Sequence, residues 1–429
     1  MKITQVLASI TLAALPLYIV RCKDFSWCSS PIPFTFLELL VLATFSAWFI
    51  WKTSQVRKGI ISSQSLFRGL TGPFFWPLAT FLIFATVSVF ISPESRAAAG
   101  IWKAYFIEPA LLFIVVADIT AIKKSPAWVF PPLLFSGLWI SVLAIWQAAT
   151  GTNQFAPYAI AQSRVSSIYS TPNALGLYLG PLTLLALGCL VELYRQKKVS
   201  LKKFGLPLYL AFCVAAFILA IYLSKSRGAI LGISVSLLVF VLLAFYRNNR
   251  DFFRKLLRLA FLFAVACLFI LNIFVFIRID SFVAAYKPAQ QDSIQARFCI
   301  WQATRNLLAD RPVTGVGLAA YQKIYPSYAT CYSEAHLYPH NILLNFWTEM
   351  GFFGMVAFLW ICFVSFKILE RFLKNFIAVG LFSALVYIFV HGLVDVPYFK
   401  NDLAVEFWVF LAMIAWFIDL KKGSVKGFS

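Results

Sequence analysis

The sequence predicts an all-α membrane protein in which about twelve helices cross the bilayer and one large outer loop carries short helices. The 429 residues are 61% hydrophobic, with a mean hydropathy of +0.82. Soluble domains are typically about 45–50% apolar. Apolar runs that approach the roughly 20 residues needed for one helical crossing recur along the chain. One long polar interval interrupts them, from Arg278 to Asn341.

Each predicted crossing is an apolar run bounded by polar or turn-forming residues. We expect the crossings at about residues 4–20, 34–51, 73–91, 101–118, 127–149, 172–193, 205–223, 227–246, 256–277, 341–364, 376–394 and 403–418. The first predicted crossing is preceded by a single basic residue, Lys2, and no small-residue cleavage site comes after it. We therefore expect an uncleaved membrane anchor. Residues 1–429 are then one transmembrane domain without an appended soluble domain. Residues 278–340 form the loop between the ninth and tenth crossings.

The basic residues predict the orientation. With a cytoplasmic N-terminus, 23 of the 37 Lys and Arg residues fall in inner segments, which is the bias of the positive-inside rule. Topology therefore accounts for most of the net charge of +20, and we expect no nucleic-acid partner. The expected location is a bacterial inner membrane, with both termini cytoplasmic, membrane lipids around the helices and the polar loop in the periplasm.

Basic residues that remain on the outer side need another explanation. Guanidinium groups match phosphate oxygens, which favours a phosphate-bearing lipid headgroup as their partner. Snorkelling and surface ion pairs are the alternatives. Among the residues in or beside the outer loops are Arg96, Lys103, Arg164, Lys225, Arg227, Arg297 and Arg305.

The cysteines and carboxylates do not indicate a metal. Cys22 with Cys28, and Cys299 with Cys331, share outer loops in which an oxidising compartment would permit disulfides, but the sequence does not decide whether they form. The other four cysteines lie in predicted crossings and are expected to be packing residues. No Cys/His ligand spacing and no Asp-x-Asp or Glu-x-Asp pair occurs. We therefore predict no metal and no cofactor.

The first cluster that could carry chemistry is the turn from Ser224 to Gly228, between the seventh and eighth crossings. Arg227 falls in the first turn of a helix, where a cation opposes the positive end of the helix dipole. A bound anion, held by Arg227 and free backbone N–H groups with Lys225 beside it, would explain this position. An arginine that anchors the helix at the interface is the alternative.

The second cluster lies in the polar loop. Apolar residues recur there at helical spacing: Ile294, Phe298, Trp301 and Leu308. They predict an amphipathic helix on the outer membrane surface. Arg297 adjoins its apolar face, within reach of a lipid phosphate. The alternative is a helix packed over the bundle, with Arg297 paired to Asp292 or Glu334.

The third cluster is His340-Asn341, where the loop re-enters the membrane. We expect Asn341 to cap the next helix, which sets His340 against a helix N-terminus that disfavours imidazolium. A neutral histidine there suits a general base; a histidine making one interfacial hydrogen bond is the alternative.

Two further groups of ionisable residues lie in or near the crossings. His391 and Asp395 stand at i and i+4, and we expect either a structural hydrogen bond or a pair that orients a substrate or a second base. Glu108 is a mid-span carboxylate, and we expect it to pair with a Lys or Arg.

Taken in order, these residues resemble the O-antigen ligase and O-antigen polymerase superfamily. The matching motifs, across roughly residues 160–400, are Ser226-Arg227-Gly228, Ala296-Arg297-Phe298 with Trp301, Pro312 with Thr314-Gly315-Val316-Gly317, His340-Asn341 running into Glu349-Met350-Gly351-Phe352-Phe353-Gly354, and Gly392-Leu393-Val394-Asp395. The resemblance implies a metal-independent, inverting transfer of a glycan from undecaprenyl diphosphate to an acceptor hydroxyl on the outer face.

By that resemblance His340 would be the base, and Arg227 and Arg297 would bind the diphosphate. Arg164, ahead of Thr171-Pro172-Asn173, would join them. Whether the acceptor is lipid A–core, another lipid-linked repeat unit or a protein hydroxyl stays open. A lipid-linked glycan transporter is the alternative from another class, and a structural assembly protein is a third.

Overall fold

The computed structural model describes residues 1–21, 34–61, 72–196, 205–246, 279, 293–331 and 336–421. Within these ranges the chain is all-helical, apart from turns, loops and an isolated bridge between Arg21 and Thr35. The predicted all-α class is confirmed for the described residues.

Eleven of the twelve predicted crossings coincide with helices among the described residues. In chain order, the helices are α1 (Lys2–Ala13), α2 (Phe36–Arg57), α3 (Phe75–Ile91), α4 (Ser95–Lys123, with a π-helical turn at Lys103–Ile107), α5 (Phe130–Thr150), α6 (Pro157–Ala161), α7 (Pro172–Arg195), α8 (Gly205–Ser224), α9 (Arg227–Tyr246), α10 (Ser293–Asp310), α11 (Tyr321–Ile324), α12 (Ile342–Glu370), α13 (Phe376–Gly392) and α14 (Asn401–Lys421). The predicted crossing at residues 256–277 lies outside the described residues.

Eight of the described helices are long and apolar enough to cross a membrane: α2, α4, α5, α7, α8, α9, α12 and α14. Three shorter apolar helices accompany them, α1, α3 and α13. The chain is therefore a multi-pass helical membrane protein.

Helices α7, α9 and α13 form the part of the core that carries the candidate site. The ring of Tyr387 on α13 lies so close to Gly180 on α7 and Gly232 on α9 that a Cβ at either glycine would come within 3 Å of it. The Tyr387 hydroxyl donates to the Gly176 carbonyl at 2.7 Å. Small residues that let helices approach closely are typical of membrane interfaces. This packing fixes the ends of three helices relative to one another.

Helix α12 is broken at Gly351, whose φ of +73° lies in the left-handed region. The segment after α10 packs into this break: Phe352 N–H donates to the Val313 carbonyl at 2.9 Å, and Val316 N–H donates to the Thr348 carbonyl at 2.8 Å. A Cβ at Gly351 would lie 2.4 Å from the Val313 oxygen. The Thr314–Gly317 motif and the glycine-rich part of α12 are thus two halves of one backbone contact.

The described part of the polar loop has a core of its own. Ile300, Ala303 and Leu307 of α10 pack with Tyr321 and Tyr325. The predicted helix is confirmed and Leu308 is buried as part of this core, but the buried face is centred on Ile300 and Leu307. Cys299 and Cys331 form a disulfide with a Cα–Cα distance of 5.8 Å. Cys22 and Cys28, like Asp292 and Glu334, lie outside the described residues.

The expected ion pair of Glu108 is wrong. Lys103, one turn earlier on α4, pairs with Glu38 instead, at 2.7 Å. Neither carboxylate oxygen of Glu108 has a hydrogen-bond partner among the described residues, although the residue is only 1% exposed. The sequence could not show this, because the partner that Lys103 takes, Glu38, lies 65 residues away on α2.

Candidate active site

Helix ends that are distant in the sequence meet at one end of the bundle, which we call the His340 end. The segment that leads into α12 and the segment that follows α13 bring His340 and Asp395 together, with His340 Nδ1 3.4 Å from Asp395 Oδ1. The loop before α7 adds Arg164, the turn between α8 and α9 adds Lys225, and the first residue of α9 is Arg227. Helix α10 adds Arg297.

The hydrogen bond expected between His391 and Asp395 does not form, although their charges interact. Helix α13 ends at Gly392, so Asp395 leaves the helical register that would place it one turn from His391. His391 Nδ1 lies 3.0 Å from the Tyr387 hydroxyl instead, and its ring packs against the turn at Gly228. With 1% exposure, His391 supports the turn that carries Arg227 from inside the bundle.

Asp395 has the environment of a carboxylate that orients a histidine. Burial alone would raise its pKa, but the hydrogen bond and charge of His340, with His391 and Arg297, outweigh burial and hold the pKa of Asp395 below its usual range. The carboxylate accepts a hydrogen bond from His340 Nδ1–H, which leaves Nε2 as the ring nitrogen that can accept a proton.

The backbone at His340 is strained. Its φ is +49°, a region that non-glycine residues adopt rarely. Neighbouring contacts hold it there: Trp301 Nε1 donates to the Pro339 carbonyl at 2.9 Å, and the Tyr338 hydroxyl donates to the Phe399 carbonyl at 3.0 Å. Strain of this kind persists where the surroundings over-determine the conformation, and it concentrates at functional sites.

Asn341 is the N-cap of α12, as predicted. Its Oδ1 accepts from the N–H groups of Leu343 and Leu344 at 3.0 and 3.1 Å, and its Nδ2 donates to the Leu393 carbonyl at 3.1 Å. One side chain therefore caps the helix and ties the His340 backbone to the segment that carries Asp395.

Arg164 reaches across to the turn between α8 and α9. Its Nε donates to the Ser224 carbonyl at 2.9 Å, beside Lys225 and Arg227, and its Nη2 donates to Asn173 Oδ1 at 3.1 Å. Partial burial lowers the pKa of Arg164, and the nearby positive charge of Arg227 lowers it further. Lys225 and Arg227 are both exposed. Cations that repel one another at a shared site favour an anionic ligand.

Arg297 approaches from the loop. Its Nε donates to the Val394 carbonyl at 3.0 Å. Val394 precedes Asp395, and the positive charge of Arg297 helps to lower the pKa of the Asp395 carboxyl. Trp301, one turn later on α10, holds the residue before His340. Helix α10 therefore places a cation and a bracing side chain on either side of the Asp395–His340 pair.

Two residues at the site were not among those predicted to act. Asn173 in the first turn of α7 lies between Arg164 and Asp395, and its Nδ2 donates to Asp395 Oδ2 at 3.2 Å. Lys400 lies with Nζ 5.5 Å above the ring of Tyr169, and burial lowers its pKa although the carboxylates of Asp402 and Asp395 act in the opposite direction. Counting Lys400 among the outer basic residues would have found it, because it falls between the last two predicted crossings.

The fold and this site define a class of membrane protein with several cations and a histidine–carboxylate pair at one end of a helical bundle. A model of the family described as O-Antigen ligase matches residues 211–359. The match confirms the resemblance seen in the motifs and supports membership of the O-antigen ligase family, which indicates a membrane glycosyltransferase of the ligase or polymerase type. No curated protein matches the chain.

The matched segment contains Lys225, Arg227, Arg297, His340 and Asn341. Five other residues of the site lie outside it: Arg164, Asn173, His391, Asp395 and Lys400.

Proposed function

We propose that the protein transfers a glycan from undecaprenyl diphosphate to an acceptor hydroxyl on the periplasmic face of the inner membrane, without a metal and with inversion at the anomeric carbon. The observation that carries the proposal is the convergence of Arg164, Arg227 and Arg297 on the His340–Asp395 pair. Family membership supports a lipid-linked glycan and an acceptor as the substrates.

The chemistry assigned to the site is one displacement. His340 Nε2 takes the proton of the acceptor hydroxyl as its oxygen attacks the anomeric carbon. The bond from that carbon to the diphosphate oxygen breaks, and the departing negative charge is stabilised by Arg164, Lys225, Arg227 and Arg297. The products are the glycosylated acceptor, undecaprenyl diphosphate and a proton on His340.

The periplasmic assignment has two supports. The positive-inside count favours an outward orientation for this end of the bundle. The Cys299–Cys331 disulfide belongs to the same end, and such bonds persist in oxidising compartments such as the periplasm.

Reconstitution of the purified protein with an undecaprenyl-diphosphate-linked glycan and a panel of acceptors tests the proposal. The acceptors are lipid A–core, a second lipid-linked glycan and a serine-containing protein. We expect one acceptor to gain the glycan in a reaction insensitive to chelators. His340→Ala should lose transfer while it still inserts and binds donor. Arg227→Ala and Arg297→Ala should weaken donor binding by about 1.5–3 kcal/mol each.

Each outcome points to a different part of the proposal. Wild-type transfer by His340→Ala would remove histidine as the base, and unchanged donor affinity in both arginine variants would remove their role. Transport of the lipid-linked glycan across liposomes, with no product on any acceptor, would favour a transporter.

A further inference from the structure

Asn173, the last residue of the Thr171-Pro172-Asn173 segment, has no role in the reaction proposed above. Asn173 is half-buried in the first turn of α7. It follows Thr171 and Pro172, and a proline is compatible with the first position of a helix. Its side chain lies between the guanidinium of Arg164 and the carboxylate of Asp395, with Oδ1 3.1 Å from Arg164 Nη2 and Nδ2 3.2 Å from Asp395 Oδ2.

The residue type suits this position. A carboxamide carries an acceptor and a donor on one carbon, so it can accept from a guanidinium and donate to a carboxylate at the same time. An aspartate at this position would face Asp395 with a like charge, and a serine would be too short to span the gap. The chain Arg164–Asn173–Asp395–His340 is thus continuous, with hydrogen bonds of 3.1, 3.2 and 3.4 Å.

We propose that Asn173 is a positioning residue that couples donor binding at Arg164 to the orientation of the base His340. This inference rests on the proposed function. When a diphosphate binds Arg164, the guanidinium that holds the Asn173 oxygen becomes fixed. The Asn173 amide then holds Asp395 Oδ2, and the other oxygen of Asp395 holds His340 Nδ1. The base is best ordered when donor is present, which limits proton transfer to the loaded enzyme.

Asp395 is the link through which a charge change at Asn173 would reach the base. Ionisable groups face Asp395 from several elements: His340 before α12, His391 on α13, Arg297 on α10, Tyr387 on α13 and Lys400 before α14. A new carboxylate at residue 173 adds one negative charge to this set. It favours the protonated, inactive form of the base.

The test uses the full-length protein, the undecaprenyl-diphosphate-linked glycan and the acceptor that supports transfer. We expect Asn173→Ala to lower kcat about tenfold with a smaller change in donor KM. On the acid side of the pH–rate profile (the acid limb), Asn173→Asp should raise the pH at which the transfer rate falls by about one unit. In a double-mutant cycle, the losses from Arg164→Ala and Asn173→Ala should not add, with a coupling of about fivefold or more.

A matched control is Asn375→Ala. Asn375 also lies at the start of a helix, where its Oδ1 accepts from the Ile377 N–H at 2.9 Å, but it precedes α13 at the opposite end of that helix from the site. This variant should lose some thermal stability and keep the wild-type pH profile and kcat per folded molecule.

The inference is overturned if the Asn173 variants behave like the control, with normal kcat per folded molecule, a normal acid limb and additive losses. If Asn173→Asp does not fold, Asn173→Gln replaces it, since glutamine keeps both groups one methylene further out. Unchanged kcat and pH profile in Asn173→Gln and Asn173→Ala together would then reject the coupling. His340→Ala is measured beside them: its full activity rejects the proposed function, whereas its inactivity with normal Asn173 variants rejects the coupling alone.

Discussion

Asp395 illustrates how one side chain can organise the chemistry of a site. It is 6% exposed, and its oxygens accept from His340, Asn173 and the Val396 N–H. The pKa of Asp395 in the folded protein lies below its value of about 4 in the unfolded chain. The ionised carboxylate therefore stabilises the fold above about pH 4, and this stabilisation is lost only as the pH falls through the folded-state pKa. Asp395 therefore stays ionised at neutral pH.

The first prediction concerns Asp395→Asn. An amide can present N–H to His340 Nδ1, which moves the ring proton to Nε2 and removes the lone pair the base needs. We expect the plateau transfer rate to fall by about 10²–10⁴-fold. The acid limb should move to lower pH, because the negative charge that stabilised imidazolium is gone. A pH profile of kcat with donor saturating measures both effects, and a variant with the wild-type plateau would contradict the assigned role.

At the scale of elements, the break in α12 connects the polar loop to the bundle. Glu349, just before the break, is buried and accepts from the Ala319 N–H at 2.7 Å. Trp347 Nε1 donates to the Pro312 carbonyl at 2.6 Å. These contacts use one turn of α12 to position the chain that follows α10, and α10 carries Arg297.

The second prediction concerns this break. Gly351→Ala puts a Cβ on a residue with φ +73° and 2.4 Å from the Val313 oxygen. We expect the free energy of unfolding to fall by about 1–3 kcal/mol from the strained backbone conformation alone, and the steric clash adds to this loss. The thermal unfolding midpoint in detergent should drop. Gly100→Ala is the control, because a Cβ there meets nothing within 4 Å. Equal midpoints for the two variants would show that the break is not required.

At the scale of the whole molecule, the helix ends of the described residues divide into two groups by their contacts. Arg164, Arg227 and Asp395 gather at the His340 end, whereas Glu192 at the end of α7 accepts from the Phe376 N–H at the start of α13. This agrees with consecutive crossings that alternate in direction. Labelling of introduced cysteines tests which compartment each end of the bundle faces.

The third prediction is that Leu337→Cys reacts with a membrane-impermeant maleimide in intact cells. Leu337 is 58% exposed beside His340. Lys58→Cys, exposed after α2, should react only once the cells are permeabilised. Both variants are made with Cys22 and Cys28 replaced by serine, so that maleimide labelling reports only on the introduced cysteine. The reverse pattern would place the His340 end in the cytoplasm.

Hydropathy and turn residues predict local features well, because they act within a few residues. The starts of α7 at Pro172 and α9 at Arg227, and the Asn341 cap, followed from the sequence in this way. The pairing of Asp395 with His340 did not. It joins residues 55 positions apart, and the end of α13 at Gly392 decides which histidine Asp395 meets.

The break at Gly351 and the role of Asn173 were also beyond the sequence. An apolar run reports burial in the membrane but not a positive φ inside it. A side chain that accepts on one face and donates on the other is recognised only when both neighbours are in place.

If the proposed orientation holds, the disulfide between Cys299 and Cys331 has a consequence for biogenesis. It joins α10 to the chain nine residues before His340, so it fixes the helix that carries Arg297. Under the proposed orientation this bond forms only after the loop has been exported and oxidised. A newly made chain would therefore become fully competent only after translocation, which would keep lipid-linked glycan from being consumed before it crosses the membrane.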